Sequence, residues 1–159
     1  MKKDGSLDTT DRKILSVLQK EGRISNVELA ERVALSATPC LERVRRLERQ
    51  GFITGYVALT DPTKLNLHTQ AFIQVSLNNT STESLRDFAA RIRSMPEVES
   101  CHMVAGGFDY LLKLRCRDMR HYQHFLGEHL AAIPLVAQTH TYVVIEEVKN
   151  ETAIDVEQR

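Results

Sequence analysis

An α+β fold in two parts is predicted by three observations. The first fifty residues carry apolar side chains at helical spacing between cap and stop signals. The remainder alternates period-2 and period-3.6 segments in the order βαββαβ. Between them, Asp61-Pro62 breaks the pattern, and the charge changes sign. Residues 1–60 hold 11 Lys+Arg and 8 Asp+Glu, or +3, and residues 61–159 hold 10 and 13, or −3.

The elements follow in order. Asp8 or Thr9 can cap a first helix, Asp11 suits its first turn, and Ile14, Leu15 and Leu18 share one face. Gly22 supplies its stop. Ser25-Asn26-Val27-Glu28 is a capping box for a short second helix with Leu29 and Val33 buried. Ala34-Leu35-Ser36 makes a tight turn, and Ser36 can cap a third helix that tolerates Pro39 in its first turn and stops at Gly51. Ile53, Gly55, Val57 and Leu59 alternate with Thr54, Tyr56 and Ala58, which predicts a strand. Residues 61–69 read as a linker.

In the second part, 71–77 is a strand, and Thr80-Ser81-Thr82-Glu83 is a capping box opening a helix with Leu85, Phe88, Ala89 and Ile92 on one face. Strands over 98–104 and 110–115 flank the turn Ala105-Gly106-Gly107. Asp118 caps a helix carrying Met119, Tyr122, Phe125, Leu126, Leu130 and Ile133, and 139–148 is the last strand. The order βαββαβ is the ferredoxin-like (ACT-like) arrangement, an antiparallel four-stranded sheet with both helices on one face. The domains are therefore expected at 1–60, a linker at 61–69, the second domain at 70–149, and a less ordered polar tail at 150–159.

The chain has 159 residues, no formal net charge, and 42% hydrophobic residues. No apolar run approaches the length of a membrane span, and no apolar core follows Lys2-Lys3, so neither membrane nor secretory leader is expected. Cys40, Cys101 and Cys116 form no CxxC and leave an odd count, which suits a reduced, cytoplasmic protein. His121, His124 and His129 with Cys116 could suggest a metal. No second ligand pair at zinc spacing accompanies them, so a solvated helix face is the reading and no metal is expected. No catalytic set, P-loop or GxGxxG is present, so no enzyme is expected.

Two helices joined by a tight turn make a helix-turn-helix candidate. On the third helix Leu41, Val44 and Leu47 form the face to be buried. Thr38, Pro39, Glu42, Arg46 and Arg49 lie opposite, flanked by Arg43 and Arg45. Residues 36–50 hold four arginines and two glutamates, a local +2 in a neutral chain. Small hydroxylated residues at the helix start admit close approach to DNA, and arginines reach guanine acceptors or phosphates. A solvated helix with Arg–Glu pairs is the alternative.

The run Gly22–Leu29, then Leu35–Glu48 with Gly51-Phe52-Ile53, resembles the Lrp/AsnC family of bacterial transcription regulators. Gly106–Lys113 and Thr141–Lys149 are similar to that family's amino-acid-sensing domain, so the resemblance covers roughly residues 7–150. It implies a winged helix-turn-helix domain that contacts double-stranded DNA through Ser36, Thr38, Arg43 and Arg46, with Ser25 and Asn26 near phosphates. It implies a nucleoid-associated homo-oligomer of dimers, up to octamers, acting as activator or repressor. Ala34 and Ala37 depart from the Gly and Pro of relatives, and Ala34 requires either a turn without positive φ or some strain.

The same resemblance places an effector site between dimers at Met103, Gly106, Gly107, Asp109, Tyr110, Met119, Tyr142, Val143 and Val144. The chemistry suits a free amino acid such as leucine, bound non-covalently. Backbone N–H groups at Gly106-Gly107 can hold a carboxylate, Asp109 can answer an ammonium, and Met103, Met119 and Val144 can line an apolar pocket. Asp109 could instead tie the hairpin to a neighbouring subunit. An allosteric small-molecule-binding and oligomerisation module without DNA binding is the competing function.

Overall fold

Helix caps and a single buried carboxylate organise the N-terminal part of the chain. The structure is a computed structural model and describes residues 6–156. Described residues up to Leu59, together with those from Lys149 onward, form one compact unit, and Thr60–Val148 form the other.

The first unit has three helices, α1 (Thr9–Lys20), α2 (Asn26–Arg32) and α3 (Ala37–Arg49). Asp8 is the N-cap of α1 in a reciprocal box. Asp11 N–H donates to Asp8 Oδ1 at 2.8 Å, and Asp8 N–H donates to Asp11 Oδ2 at 3.1 Å. Ser25 and Glu28 form the second box at the start of α2. Ile14, Leu15, Leu29, Ala30, Val33, Cys40 and Leu47 close the core. Cys40 takes the buried place expected for Leu41, whose side chain is at the edge of solvent.

Two helix ends use left-handed residues. Gly51 (φ 76°) ends α3, with its N–H donating to Glu48 C=O and the Phe52 N–H to Leu47 C=O. The same double bond ends α2, from Ala34 N–H to Glu31 C=O and from Leu35 N–H to Ala30 C=O, but here the left-handed residue is Ala34, at φ 56°. The strain that Ala34 could have avoided is therefore present. Gly22 does not adopt positive φ, and the C-cap of α1 is Glu21.

The strand expected over 53–59 is not formed. No described strand lies alongside to complete a ladder, and Val57 (86% exposed) and Leu59 (76%) project into solvent. The helix-turn-helix thus has no wing hairpin among the described residues. The described part of the polar tail, 150–156, expected to be loose, follows α1 instead, and 157–159 lie outside the described residues. Ile154 N–H donates to Gln19 Oε1 at 2.7 Å, Gln19 Nε2 returns a bond to Ile154 C=O at 3.0 Å, and Val156 packs against the core.

The second unit carries β1 (Thr69–Leu77), α4 (Thr82–Arg93), β2 (Val98–Met103), β3 (Tyr110–Cys116), α5 (Met119–His124, continued by a π-helical stretch Phe125–Leu130) and β4 (Val136–Val143). The sheet order β2-β3-β1-β4, antiparallel throughout, is the ferredoxin-like topology. Ala71, Ile73, Val75 and Leu77 of β1 and Tyr110, Leu112, Leu114 and Cys116 of β3 bury one face with Phe88, Ile92, Tyr122 and Phe125 of the helices. The cap of α4 is Ser81, accepting from Ser84 N–H, one residue later than the Thr80–Glu83 box predicts. The last strand starts and ends earlier than 139–148. Ile145 and Val148 lie beyond it, exposed.

Because an L-residue in the left-handed region costs on the order of 1 kcal/mol that glycine does not incur, Ala34→Gly should raise unfolding stability by about that amount. Chemical denaturation read by circular dichroism measures it, and an unchanged or lowered stability would contradict the strain.

Candidate nucleic-acid interface and sensing loop

The third helix presents two chemically different sets of arginines. On a wheel of 100° per residue, Cys40, Val44 and Leu47 form the core face, and Thr38, Glu42, Arg45 and Arg49 lie roughly 160° round from it. Arg43 and Arg46 fall between, on the flank toward α1. There Arg43 Nη1 donates to Asp8 Oδ2 at 2.7 Å and to Asp11 Oδ1 at 2.8 Å, and Arg46 Nη2 sits 2.5 Å from the same Asp11 oxygen. Asp11 is 1% exposed. Burial pushes the Asp8 carboxyl up, but the Arg43 guanidinium and the Asp11 N–H outweigh it and hold the group well below the usual carboxylate range. Arg46 Nε is buried without a hydrogen-bond partner.

The other expected DNA contacts are divided. Ser36 is the N-cap of α3 by position, but its exposed hydroxyl makes no capping bond. Thr38 is exposed in the first turn of the helix. Ser25 Oγ is used within the α2 box, donating to Glu28 Oε2 at 2.8 Å. Asn26 Nδ2 donates to Ala37 C=O at 2.8 Å, which ties the start of α2 to the start of α3 and sets the turn angle. Arg43, Arg46 and Asn26 thus have scaffold partners that sequence spacing did not supply, while Ser25 keeps the Glu28 partner its capping box predicts. The missed residue is Asp11, and its signal was legible. An acid at position 11 falls in line with Ile14, Leu15 and Leu18 on the apolar stripe of α1, where a charge needs a cation partner.

The expected sensing residues fall at two places in the second unit. Met103 ends the edge strand β2, 60% exposed, and Gly106-Gly107 form an open loop where an added Cβ would meet nothing within 4 Å. Asp109 Oδ2 accepts from Leu77 N–H at 2.7 Å where the β1–β4 register shifts, so one carboxylate oxygen already holds the loop. Tyr110 is buried, its ring 4.6 Å from that of Phe88 and its hydroxyl donating to Leu85 C=O at 3.1 Å. Met103 and Tyr110 border an open groove of about 570 Å³ between α4 and β2. Tyr142 and Val143 lie on the opposite edge strand, in register with Phe72 and Ala71, at the far end of the sheet from Met103, and Val144 follows them. Met119 begins α5 just beyond the end of β3 at that same far end. Three strand spacings, on the order of 14 Å, separate the two edges. A single chain does not bring these residues together.

The histidines have ordinary surroundings. His121 Nδ1 accepts from Arg117 N–H at 3.4 Å and Nε2 lies 3.5 Å from Glu97, while His124 and His129 meet edge-to-face. No group of metal-binding character occurs among the described residues, and no described helix is long and apolar enough to cross a membrane.

Residues 7–54 match the winged helix-turn-helix DNA-binding family, and residues 70–154 match the Lrp/AsnC ligand binding domain. The chain is 52% identical over 153 residues to the leucine-responsive regulatory protein of Salmonella typhimurium, covering 96% of this chain and 93% of that protein, and 51% identical to the one of Escherichia coli K12 over the same span. A transcriptional regulator of Neisseria meningitidis, solved as its L-Met complex, superposes with TM-score 0.92 at 43% identity over 96% of this chain and 98% of that one. An AsnC family transcriptional regulator of Agrobacterium tumefaciens gives 0.89 at 32%, over 93% and 96%.

Asp8 ionises more readily folded than unfolded. Its contribution to stability is therefore complete above the ordinary value near ~3.9 and is lost progressively as pH falls below it. Asp8→Asn should be less stable than the parent at pH 7, and the gap should close as pH drops below about 4. A gap that stays constant from pH 7 to pH 3 in denaturant titrations would contradict the Asp8–Arg43 pairing.

Proposed function

The chain belongs to the Lrp/AsnC family, and from that premise we propose that it is a DNA-binding transcription regulator whose activity answers to a free amino acid. One observation carries the reading. A helix-turn-helix and an amino-acid-ligand domain occur in one chain, in the order and over nearly the whole length of relatives named as such regulators.

α3 is the DNA-reading helix. Its start, with Ser36 and Thr38 exposed and the Ser36 hydroxyl uncommitted to a cap, lets the helix approach base edges and phosphates closely. The sensing site forms between copies of the chain, because its two residue groups lie at opposite edges and ends of one sheet. Gly106-Gly107 N–H groups meet the effector carboxylate, Met103 offers apolar contact, and the free oxygen of Asp109 answers the ammonium. Tyr142, Val143, Val144 and Met119 belong to a neighbouring copy's side of the pocket. The exposed Tyr56, Val57 and Leu59 are covered in a homodimer, where the unformed strand finds its partner. An effector that bridges copies shifts the assembly and so the set of DNA half-sites engaged together. The effector, which L-Met in the Neisseria relative suggests is an unbranched or branched aliphatic amino acid, needs no cofactor.

Gel-shift titration of the full chain on its own upstream DNA tests the DNA half, and absence of a salt-sensitive shift at low salt would sink it. For the sensing half, Gly106→Asp introduces a carboxylate into open space at a position without positive φ. Calorimetric affinity for L-leucine and L-methionine should fall at least tenfold, on the order of 1.4 kcal/mol, with the melting temperature unchanged. Full affinity in this variant would place the carboxylate elsewhere.

A further inference from the structure

Which cations of α3 reach the DNA is decided by a residue outside that helix. We propose that Asp11 divides the four arginines into two fixed struts, Arg43 and Arg46, and two DNA-facing cations, Arg45 and Arg49. Asp11 is then a positioning residue for recognition, an inference that rests on the DNA-binding reading above.

The argument begins with what leaving would cost. Asp11 is almost wholly buried, and one of its oxygens holds both guanidinium groups, at 2.8 and 2.5 Å. Pulling Arg43 and Arg46 away to a phosphate would strand an ionised carboxylate in the core, which is strongly unfavourable. Their charge is also already neutralised by Asp11 and Asp8, so engaging DNA through them would release few counterions. The buried, unpartnered Nε of Arg46 likewise sets the inner edge of its guanidinium against the protein, although the side chain as a whole is half-buried.

Arg45 and Arg49 differ in exposure and in pairing. Both are exposed, one helical turn apart, on the face that carries Thr38 and lies opposite the Cys40–Leu47 core side. Neither makes a hydrogen bond or ion pair with another described residue, although Glu42 shares their face. With Pro39 and Glu42 they border a concave strip of about 540 Å³ along α3, whose other margin is formed by the Asp11-held Arg43 and Arg46. A pair of uncommitted guanidinium groups beside a small hydroxylated helix start is suited to phosphate and guanine contact. The fixed pair meanwhile holds the helix at the angle from which the free pair can reach.

Fluorescence anisotropy of the full chain on its own upstream duplex, titrated at 50 to 200 mM salt, separates the two pairs. Arg45→Gln and Arg49→Gln should each flatten the slope of log affinity against log salt by about 0.9 per reading head engaged, roughly a 3.5-fold difference across that range. Arg43→Gln and Arg46→Gln should lower the melting temperature and weaken binding while leaving the slope as in the parent. Asp11→Asn, which frees Arg46 while Arg43 keeps Asp8, should steepen it. Arg45 and Arg49 are exposed, so their variants remain folded and informative even if Asp11→Asn is not. A parental slope in both Arg45→Gln and Arg49→Gln, or an equal flattening in Arg43→Gln and Arg46→Gln, overturns the division. A parent chain that binds no DNA at low salt would instead overturn the DNA reading itself.

Discussion

One buried carboxylate, Asp11, sets the geometry of the N-terminal unit. It sits on the stripe of α1 that also carries Ile14 and Leu15, and it is reached by two guanidinium groups from α3. A charge in that position is tolerable only when paired, so α1 and α3 are fixed in one mutual arrangement as well as packed. The unit has few other means to achieve this. Among the described residues its apolar core has seven buried side chains, and a helix-turn-helix of this size leaves a narrow stability margin. Around the tie, two reciprocal capping boxes start α1 and α2, and paired N–H bonds end α2 and α3. The Asn26–Ala37 bond then sets the turn. The Asp11 tie and the Asn26–Ala37 bond act on the angle and the start of α3, the helix on which the functional reading depends.

The same tie explains how a chain with no net charge can address a polyanion. Formal charge counts Arg43 and Arg46 equally with Arg45 and Arg49, yet the first two are compensated within the fold. The quantity that matters is a small local excess repeated on every copy. Weak single-head binding becomes tight when several heads engage one duplex. The sensing unit has a matching logic. Its glycine loop and its Tyr142–Val144 edge lie at opposite ends of a rigid antiparallel sheet, so a ligand that needs both must be held by more than one copy. Under the proposed site between copies, ligand binding and assembly become one equilibrium.

Much of this was legible in the residues. The βαββαβ order, the three N-terminal helices, and the caps at Asp8, Ser25 and Asp118 follow from spacing and local chemistry, and the structure carries them. Four features did not follow, each for a stated reason. The strand over 53–59 has the right alternation, but alternation cannot supply a partner ladder. The cap of α4 shifted from Thr80 to Ser81 because two adjacent hydroxyl residues offer equivalent caps. The tail docks through Gln19 and Val156, contacts 135 or more residues apart in sequence that local patterns do not encode. The sorting of the arginines required knowing that Asp11 is buried. That was readable as an acid on an apolar stripe, but its partner on α3 was not.

The central claim is that this protein couples an amino acid to DNA. The most direct measurement is the coupling itself. The affinity of the full chain for its own upstream duplex is taken with and without saturating L-leucine or L-methionine, and the affinity for that amino acid is taken with and without saturating duplex. The account predicts that one of these amino acids changes duplex affinity several-fold, in either direction, and that the duplex changes amino-acid affinity by the same factor. Binding of both ligands with each affinity indifferent to the other would contradict it.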